Sequence, residues 1–421
     1  MPSLSGSGAN SLLIEIVRKT LEDANEKKDN TFSRIEKDTE NLGSNQLGVR
    51  NPITVEDNAS EVWRASDGGD FAQSGAEVYV NLTVTHTRVY KAAEFTADIR
   101  QMDQNGPTVA PIVTGAVARA NQRLKKSCNQ QVLVNGDGEV GRYLSGTGTT
   151  TITFTSTSGN YFGVTKILKN GRYQWYDSTL ATARNGGYVF TVTAAPNRAN
   201  KTAVFDVAPT LSANDVLVVE GSVSAVLNGF GNMIGNSGSI HGQSRSTYPG
   251  LNCAVIAAAG APLSTSLMGQ IENTMAFKTG MEKIGDGYVY IWSPVQRQGY
   301  LNLGYELKQF INEKAGNLDA GFDGTTFGNI QCMTDVDCPD DTIYCANTSQ
   351  FKRYVLQDIK ALPFPGGDIF WPKTASSGQN YADSWIVNLA GKMQVGVPNP
   401  RMAGAKATGL AITTGASRHI A

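Results

Sequence analysis

One stripe recurs at spacings of four and three through residues 11–39: Leu13, Val17, Leu21, Ala24, Lys28, Phe32 and Ile35, apolar except at Lys28, with Glu, Lys, Asp and Arg between them. That spacing predicts one charged helix whose apolar stripe is narrow and thins around Asn25–Asn30. A helix of this kind buries little by itself, so it should lie against a neighbouring domain or another subunit, or else ride solvated on the surface.

The texture changes after Gly43. Residues 53–64 and 76–90 read as strands, and in the second Val78, Val80, Leu82 and Val84 alternate with Tyr79, Asn81, Thr83 and Thr85. The polar, Gly-rich stretch Ser66–Gly75 between them predicts a long β-hairpin with a flexible tip. A lone two-stranded ribbon is marginal in water and needs a surface to lie on. Asn105-Gly106-Pro107 then signals the start of a helix running to about Lys126, with Val109, Ile112, Val113, Ala116, Ala120 and Leu124 as its buried face.

Residues 137–223 are the most β-rich stretch. Thr149–Thr155, Gly187–Thr193 and Asp215–Glu220 alternate or run apolar between Gly and Asn turns, and Lys169-Asn-Gly-Arg172 is a hairpin-turn signal. A small barrel or sandwich inserted after the helix is expected. Residues 228–250 read as Gly-rich loop. Leu263–Lys278 and Pro294–Lys314 then read as helices, and Tyr288–Trp292, Thr325–Met333, Thr342–Ala346 and Trp385–Val397 as strands. The stretch from Arg401 is rich in small residues and reads as a surface tail. The fold class is α+β, and no period of 20–50 residues points to a solenoid or propeller.

Composition narrows the class. In 421 residues, 17% are charged and 45 are Gly, which suits a β-rich chain with many tight turns. A net charge of -1 supplies no global drive toward nucleic acid or an anionic membrane, so any such contact must be local. The N-terminus has no basic lead into an apolar run, and no stretch of about 18 apolar residues occurs, so neither secretion nor a membrane span is expected. The odd number and irregular spacing of Cys128, Cys253, Cys332, Cys338 and Cys345 suggest free thiols made in a reducing cytoplasm.

Chemistry is sparse. His86, His241 and His419 do not pair at helical spacing, and no Cys-x-x-Cys unit occurs, so no metal site is expected. Asp335, Asp337, Asp340 and Asp341 around Pro339 form an acidic cluster that reads as a turn, with calcium binding the alternative. Neither a phosphate-binding loop nor a Gly-x-Ser-x-Gly elbow is present, and no catalytic residue or cofactor is assigned. Arg119, Arg123, Lys125 and Lys126 cluster toward the expected end of the 107–126 helix. They either complement the helix dipole there or form a basic spot facing packaged DNA.

The order of parts is charged N-terminal helix, long hairpin, long helix, β insertion, α/β segment and closing strands. It resembles the major capsid proteins of tailed bacteriophages, whose shell fold is shared with herpesviruses. Two stretches carry the likeness most specifically. Gly321–Tyr344 runs a strand to an Asp, then Pro and a turn, then a strand in Ile-Tyr before the polar Asn347-Thr-Ser. Gly229-Phe-Gly-Asn-Met-Ile, followed by Arg245 and Pro249, resembles the junction between an insertion and the axial domain.

The resemblance implies an N-terminal arm over 1–47, an extended loop over 48–98 and a peripheral domain with spine helix over 99–136 and 325–400. It further implies an inserted β-rich domain over 137–227, an axial domain over 228–324 and a C-terminal tail over 401–421. Copies would assemble as hexamers and pentamers into an icosahedral head shell around double-stranded DNA, with a portal, a scaffolding protein and a cement protein as further partners. The arm and extended loop would reach across neighbours. Members that crosslink use a Lys–Asn pair, and none is assigned here. A virion protein made in the host bacterial cytoplasm is expected, structural rather than enzymatic. The alternatives are a tail-tube or fibre protein, or a glycan-binding or hydrolytic protein built around 137–223.

Overall fold

The structure, a computed structural model, describes residues 31–38, 48–56, 75–96, 112–155, 162–223, 225–280, 287–308, 326–327, 330–363, 370–374 and 381–412. In chain order, the first elements are helix α1 (Thr31–Arg34) and strands β1 (Glu36–Asp38), β2 (Gly48–Glu56), β3 (Val78–Thr85) and β4 (Thr87–Thr96), followed by helix α2 (Ile112–Leu133). Strands β5 (Glu139–Ser145), β6 (Thr151–Phe154), β7 (Arg172–Tyr176), β8 (Phe190–Thr191), β9 (Thr202–Val204) and β10 (Val216–Val219) follow. Then come α3 (Phe230–Met233), β11 (Ser239–Ile240), β12 (Gln243–Ser244), β13 (Ala254–Ala257), α4 (Thr265–Thr279), β14 (Tyr288–Trp292) and α5 (Pro294–Lys308). The chain continues with β15 (Thr326–Phe327), β16 (Ile330–Thr334), β17 (Ile343–Asn347), β18 (Lys352–Ala361), β19 (Phe370–Thr374), β20 (Tyr381–Gly396) and β21 (Gly404–Thr408).

These elements fall into two compact units, one comprising residues 88–128 and 356–393 and the other the remaining described residues. In the first unit β4, β18, β19 and β20 form sheet, with Phe370 opposite Val387 and Trp371 opposite Ile386. Ala120 and Leu124 of α2 bury against Leu389, Ile359 and Ala361, as their shared helix face requires. Phe95 and Val387 extend that core. Of the expected face, Ala120 and Leu124 are buried; the helix start at 105–107, Val109 and the side chains of Ile112, Val113 and Ala116 lie outside the described residues.

Among the described residues, the second unit holds two six-stranded sheets and the two-stranded pairs β2–β3 and β11–β12. Residues 139–219 form a six-stranded sheet in the order β8-β7-β10-β5-β6-β9, around an aromatic core of their own. Trp175 stacks on Phe154 at 5.7 Å and meets Phe205 edge-on at 5.9 Å. The Asn-Gly signal at 170–171 is a turn, with Asn170 at φ 62, but it leads from a 3-10 turn (Gly163–Lys166) into β7 rather than joining paired strands. The two ends of the module meet. A Cβ on Gly136 would sit 2.3 Å from the Leu227 carbonyl oxygen, so only glycine fits that crossing.

A second six-stranded sheet runs β13-β21-β17-β14-β16-β15. Its register lines up Ala405, Cys345, Tyr290 and Cys332 across four strands on one face. That face is covered by Met268, Ile271 and Met275 of α4. Ser264 caps α4, its hydroxyl accepting the Leu267 N–H, and Gly280 ends it at φ 71. All five cysteines are buried free thiols.

Several expectations are corrected here. The segment from Arg401 is not a surface tail up to Leu410: β21 is paired on both sides, parallel to β13 and antiparallel to β17, and Ala403, Ala405 and Ala407 are fully buried. Small residues are needed there because large Tyr290 and Trp292 fill the same layer. The division expected between 324 and 325 cuts this sheet, separating β14 from its partner β16. The strand expected over 76–90 is two strands, β3 pairing with β2 and β4 with β20, parted at His86.

The helix expected over 11–39 breaks at Ile35. Phe32 and Ile35 bury in the body, and β1 pairs in parallel with the start of β18. Tertiary pairing overrides helix propensity at that point. Residues 1–30, the hairpin tip 57–74, the stretch 309–325 and residues 413–421 lie outside the described residues.

Candidate functional site

The basic run on α2 occupies a different place from the one its spacing suggested. The helix continues to Leu133 and its last turn carries no basic residue, so the run is mid-helix and does not complement the C-terminal dipole. At about 100° per residue, Arg119, Arg123 and Lys126 share one face and Lys125 lies about a third of a turn away. Arg123 and Lys125 are exposed, Arg119 and Lys126 half-buried. Ala120 and Leu124 of the packed face lie about a third of a turn from Arg119, Arg123 and Lys126, on the other side from Lys125.

The hairpin alternates as expected: Val80, Leu82 and Val84 are buried and the intervening residues exposed. Its base does not wait for a partner's surface. Leu82 packs with Ile240 and Leu251, and Ile53, Val55 and Tyr248 close over them. The β11–β12 turn pins the strand: the Thr83 N–H donates to the His241 carbonyl at 2.8 Å, and Gln243 Nε2 donates to the Asn81 carbonyl at 3.0 Å. His241 Nε2 accepts the Val397 N–H at 3.1 Å, so its ring must stay neutral. Burial, aided by the Arg245 guanidinium, brings the His241 imidazole down to about 4.

Arg245 explains the Gly229–Ile234 stretch. It is buried, and donates to the carbonyls of Asn232 at 2.8 Å, Met233 at 3.0 Å and Ser237 at 3.0 Å. Free carbonyls at the end of a short helix and loop are thereby satisfied by one planar guanidinium. Beside this loop lies a polar cavity of about 810 Å3, lined by Asn135, Asp137, Asn228, Asn232, Asn236, Asp341 and Lys406 among others. Lys406 Nζ donates to the Gly231 carbonyl, and burial together with Arg245 brings its ammonium down to about 8. Burial pushes the Asp137 and Asp341 carboxyls up.

The acidic cluster is a turn, as its Pro-Asp-Asp spacing suggested, with Cys338 N–H donating to the Asp335 carbonyl at 3.1 Å. Its first two carboxylates do more than cap that turn. Asp335 and Asp337 are each 2% exposed. Asp335 Oδ2 accepts from Thr31 N at 3.2 Å and Thr31 Oγ1 at 2.6 Å, and Asn129 Nδ2 donates to Asp337 Oδ2 at 3.0 Å. Lys166 of the 139–219 module forms an ion pair with Asp337. Sequence reasoning found the aspartates and missed their partners, because Thr31, Asn129 and Lys166 are remote in the chain and unremarkable in type.

Exposed apolar side chains mark further candidate contact points. Phe277 on α4 is 88% exposed, and Tyr79, Tyr90, Leu144 and Leu168 are also exposed. No described helix is long and apolar enough to cross a membrane.

No protein-family model matches the sequence, and no curated protein matches it either. Solved structures do match. A chain of the cyanophage A-1(L) capsid asymmetric unit aligns with 97% of this chain and 99% of its own length, at 13% identity and a TM-score of 0.58. Chains of a native GTA particle capsid (8% identity, TM-score 0.48, 98% and 100% covered) and of Mycobacterium phage Bobi (11%, 0.47, 98% and 100%) align more loosely, and nothing further rests on them. The chain therefore carries, over almost its whole length, the fold of a phage capsid chain.

Proposed function

We propose that this chain is the major capsid protein of a tailed phage, assembling with copies of itself as hexamers and pentamers into the icosahedral head shell around double-stranded DNA. The observation that carries the reading is the end-to-end match to the cyanophage A-1(L) capsid chain, which leaves almost nothing of either chain over. In this reading residues 1–47 serve as the arm, the β2–β3 hairpin as the extended loop, α2 as the spine helix and the 139–219 sheet as an insertion. The axial domain then comprises the β13–β17 and β21 sheet with α4 and α5, and the peripheral domain the α2, β4 and β18–β20 layer. The role is structural, in the virion, after synthesis in the host bacterial cytoplasm.

Portal, scaffolding and cement proteins are the expected partners. The face of Arg119, Arg123 and Lys126, with Lys125 beside it, is assigned to the packaged DNA, where exposed cations screen phosphate without reading sequence. Expression of the chain with its native partners, followed by electron microscopy, tests the shell reading. Closed icosahedral particles are expected; monomers or short rods alone would reject it. Changing the four basic residues to Gln should leave empty shells intact and reduce the DNA they retain. Unchanged retention removes the DNA-facing assignment.

A further inference from the structure

We propose that Lys166 is the positioning residue through which the 139–219 β module holds residues 31–38 against the body, so that the module governs where the N-terminal segment departs. The inference goes beyond the shell reading and does not depend on it, because it concerns contacts within one chain.

Three separate stretches of sequence converge on Asp335 and Asp337. The N-terminal stretch brings Thr31, which donates twice to Asp335 Oδ2, and Phe32, whose N–H donates to Asn129 Oδ1 at 2.8 Å. Asn129 then turns its amide nitrogen toward both carboxylates, 3.3 Å from Asp335 Oδ2 and 3.0 Å from Asp337 Oδ2. Gln130 Nε2 donates to Asp337 Oδ1 at 3.2 Å. Asp337 N–H donates to Asp335 Oδ1 at 2.8 Å, which locks the two carboxylates side by side. Amide and hydroxyl donors satisfy lone pairs but do not cancel charge.

Lys166 brings an ammonium to this pair from the module. Its position is fixed by the module's own packing. It ends a 3-10 turn whose neighbours Phe162, Val164 and Ile167 are buried, and its Nζ lies 5.3 Å from the centre of the Phe162 ring. The Thr165 hydroxyl donates back to the Phe162 carbonyl at 2.7 Å. Removing the ammonium leaves Asp337 buried beside Asp335 with less compensation, and an uncompensated buried charge draws in water or moves. The shared amide of Asn129 transmits that movement to Phe32 and Thr31. The module is thereby wired to residues 31–38 through polar side chains.

Hydrogen–deuterium exchange on the full chain tests this, comparing the wild type with Lys166→Met and with the double variant Lys166→Met/Asp337→Asn. In Lys166→Met, amides of residues 31–38 should exchange about ten-fold faster, while peptides from the module core (172–176) and from β17 keep their protection. In the double variant the orphaned charge is gone, and protection at 31–38 should return to within about two-fold of wild type. Unchanged exchange at 31–38 in Lys166→Met overturns the proposal. So does equal loosening of 172–176, which would make Lys166 a general stabiliser of the module, or a double variant that remains as loose as the single one.

Discussion

The two six-stranded sheets of this chain reach the same size by opposite routes. The 139–219 sheet draws all its strands from one continuous stretch, while the β13–β17 and β21 sheet is assembled from strands scattered between residues 254 and 408. The first closes around aromatic side chains, Trp175, Phe154, Phe190 and Phe205, which supply much buried area from few positions. The second packs small residues of β17 and β21 beside Tyr290 and Trp292. Local assembly leaves a pattern visible in a short window. Assembly from distant strands leaves each piece looking incomplete, and the last piece looking like a tail.

Removal of residues 403–421 should separate the two sheets most sharply. Without β21, strands β13 and β17 lose their shared partner. The truncated chain is expected to lose the cooperative unfolding of that sheet while Trp175 stays in a buried, blue-shifted environment, read by tryptophan fluorescence and circular dichroism. A chain that keeps a wild-type melt would restore the tail reading.

The converse break is Trp175→Ala. The side chain is fully buried at the centre of the local sheet, so the change should cost about 3–5 kcal/mol and lower the denaturant midpoint of the module. The β14–β17 amides should stay protected from hydrogen exchange. Loss of protection in both sheets together would show that the module does not unfold by itself.

Acid should act outside the module, at the hairpin pin. The His241 pKa is depressed from its ordinary 6.5 to about 4, so the folded state holds the ring neutral. The unfolded chain therefore binds the extra proton first. Stability from this residue is complete above about pH 6.5 and falls as pH drops toward 4, by on the order of 3 kcal/mol. His241→Gln should flatten that part of the stability-against-pH curve; an identical slope in the variant would assign the acid sensitivity elsewhere.

A smaller effect is expected from Ala407→Val, which forces extra methyl groups into a fully buried layer at about 1–3 kcal/mol. Thr151→Val, at an exposed position of β6, should change thermal stability by less than about 0.5 kcal/mol. A comparable loss at both positions would mean that the scattered sheet is no more tightly specified than the local one.

Particular residues show why parts of the chain could be read directly. Tyr288–Trp292 is a strand with the expected bounds, and α4 runs Thr265–Thr279 where 263–278 was expected, because Ser264 and Gly280 punctuate a periodic run. The Asp cluster was legible as a turn. The basic run on α2 was legible as a cluster but not in its position, since nothing in the sequence stops the helix at Lys126 rather than Leu133. At His86 the inward positions switch from even-numbered (Val80, Leu82, Val84) to odd-numbered (Val89, Phe95), a change of phase inside one apolar-rich run that marks where the pairing partner changes.

Residues close together in the chain set the α+β class, the hairpin's inward and outward faces, the span of α4 and the local β module. Chain closure alone put Ala405 and Ala407 in a central strand, ended the first helix at Ile35 with Phe32 and Ile35 buried, and brought Lys166 to Asp337. The physical reason is that burial and charge compensation are set by whichever groups share a volume. Residues 166 and 337, or 345 and 405, share one only after the chain has closed on itself.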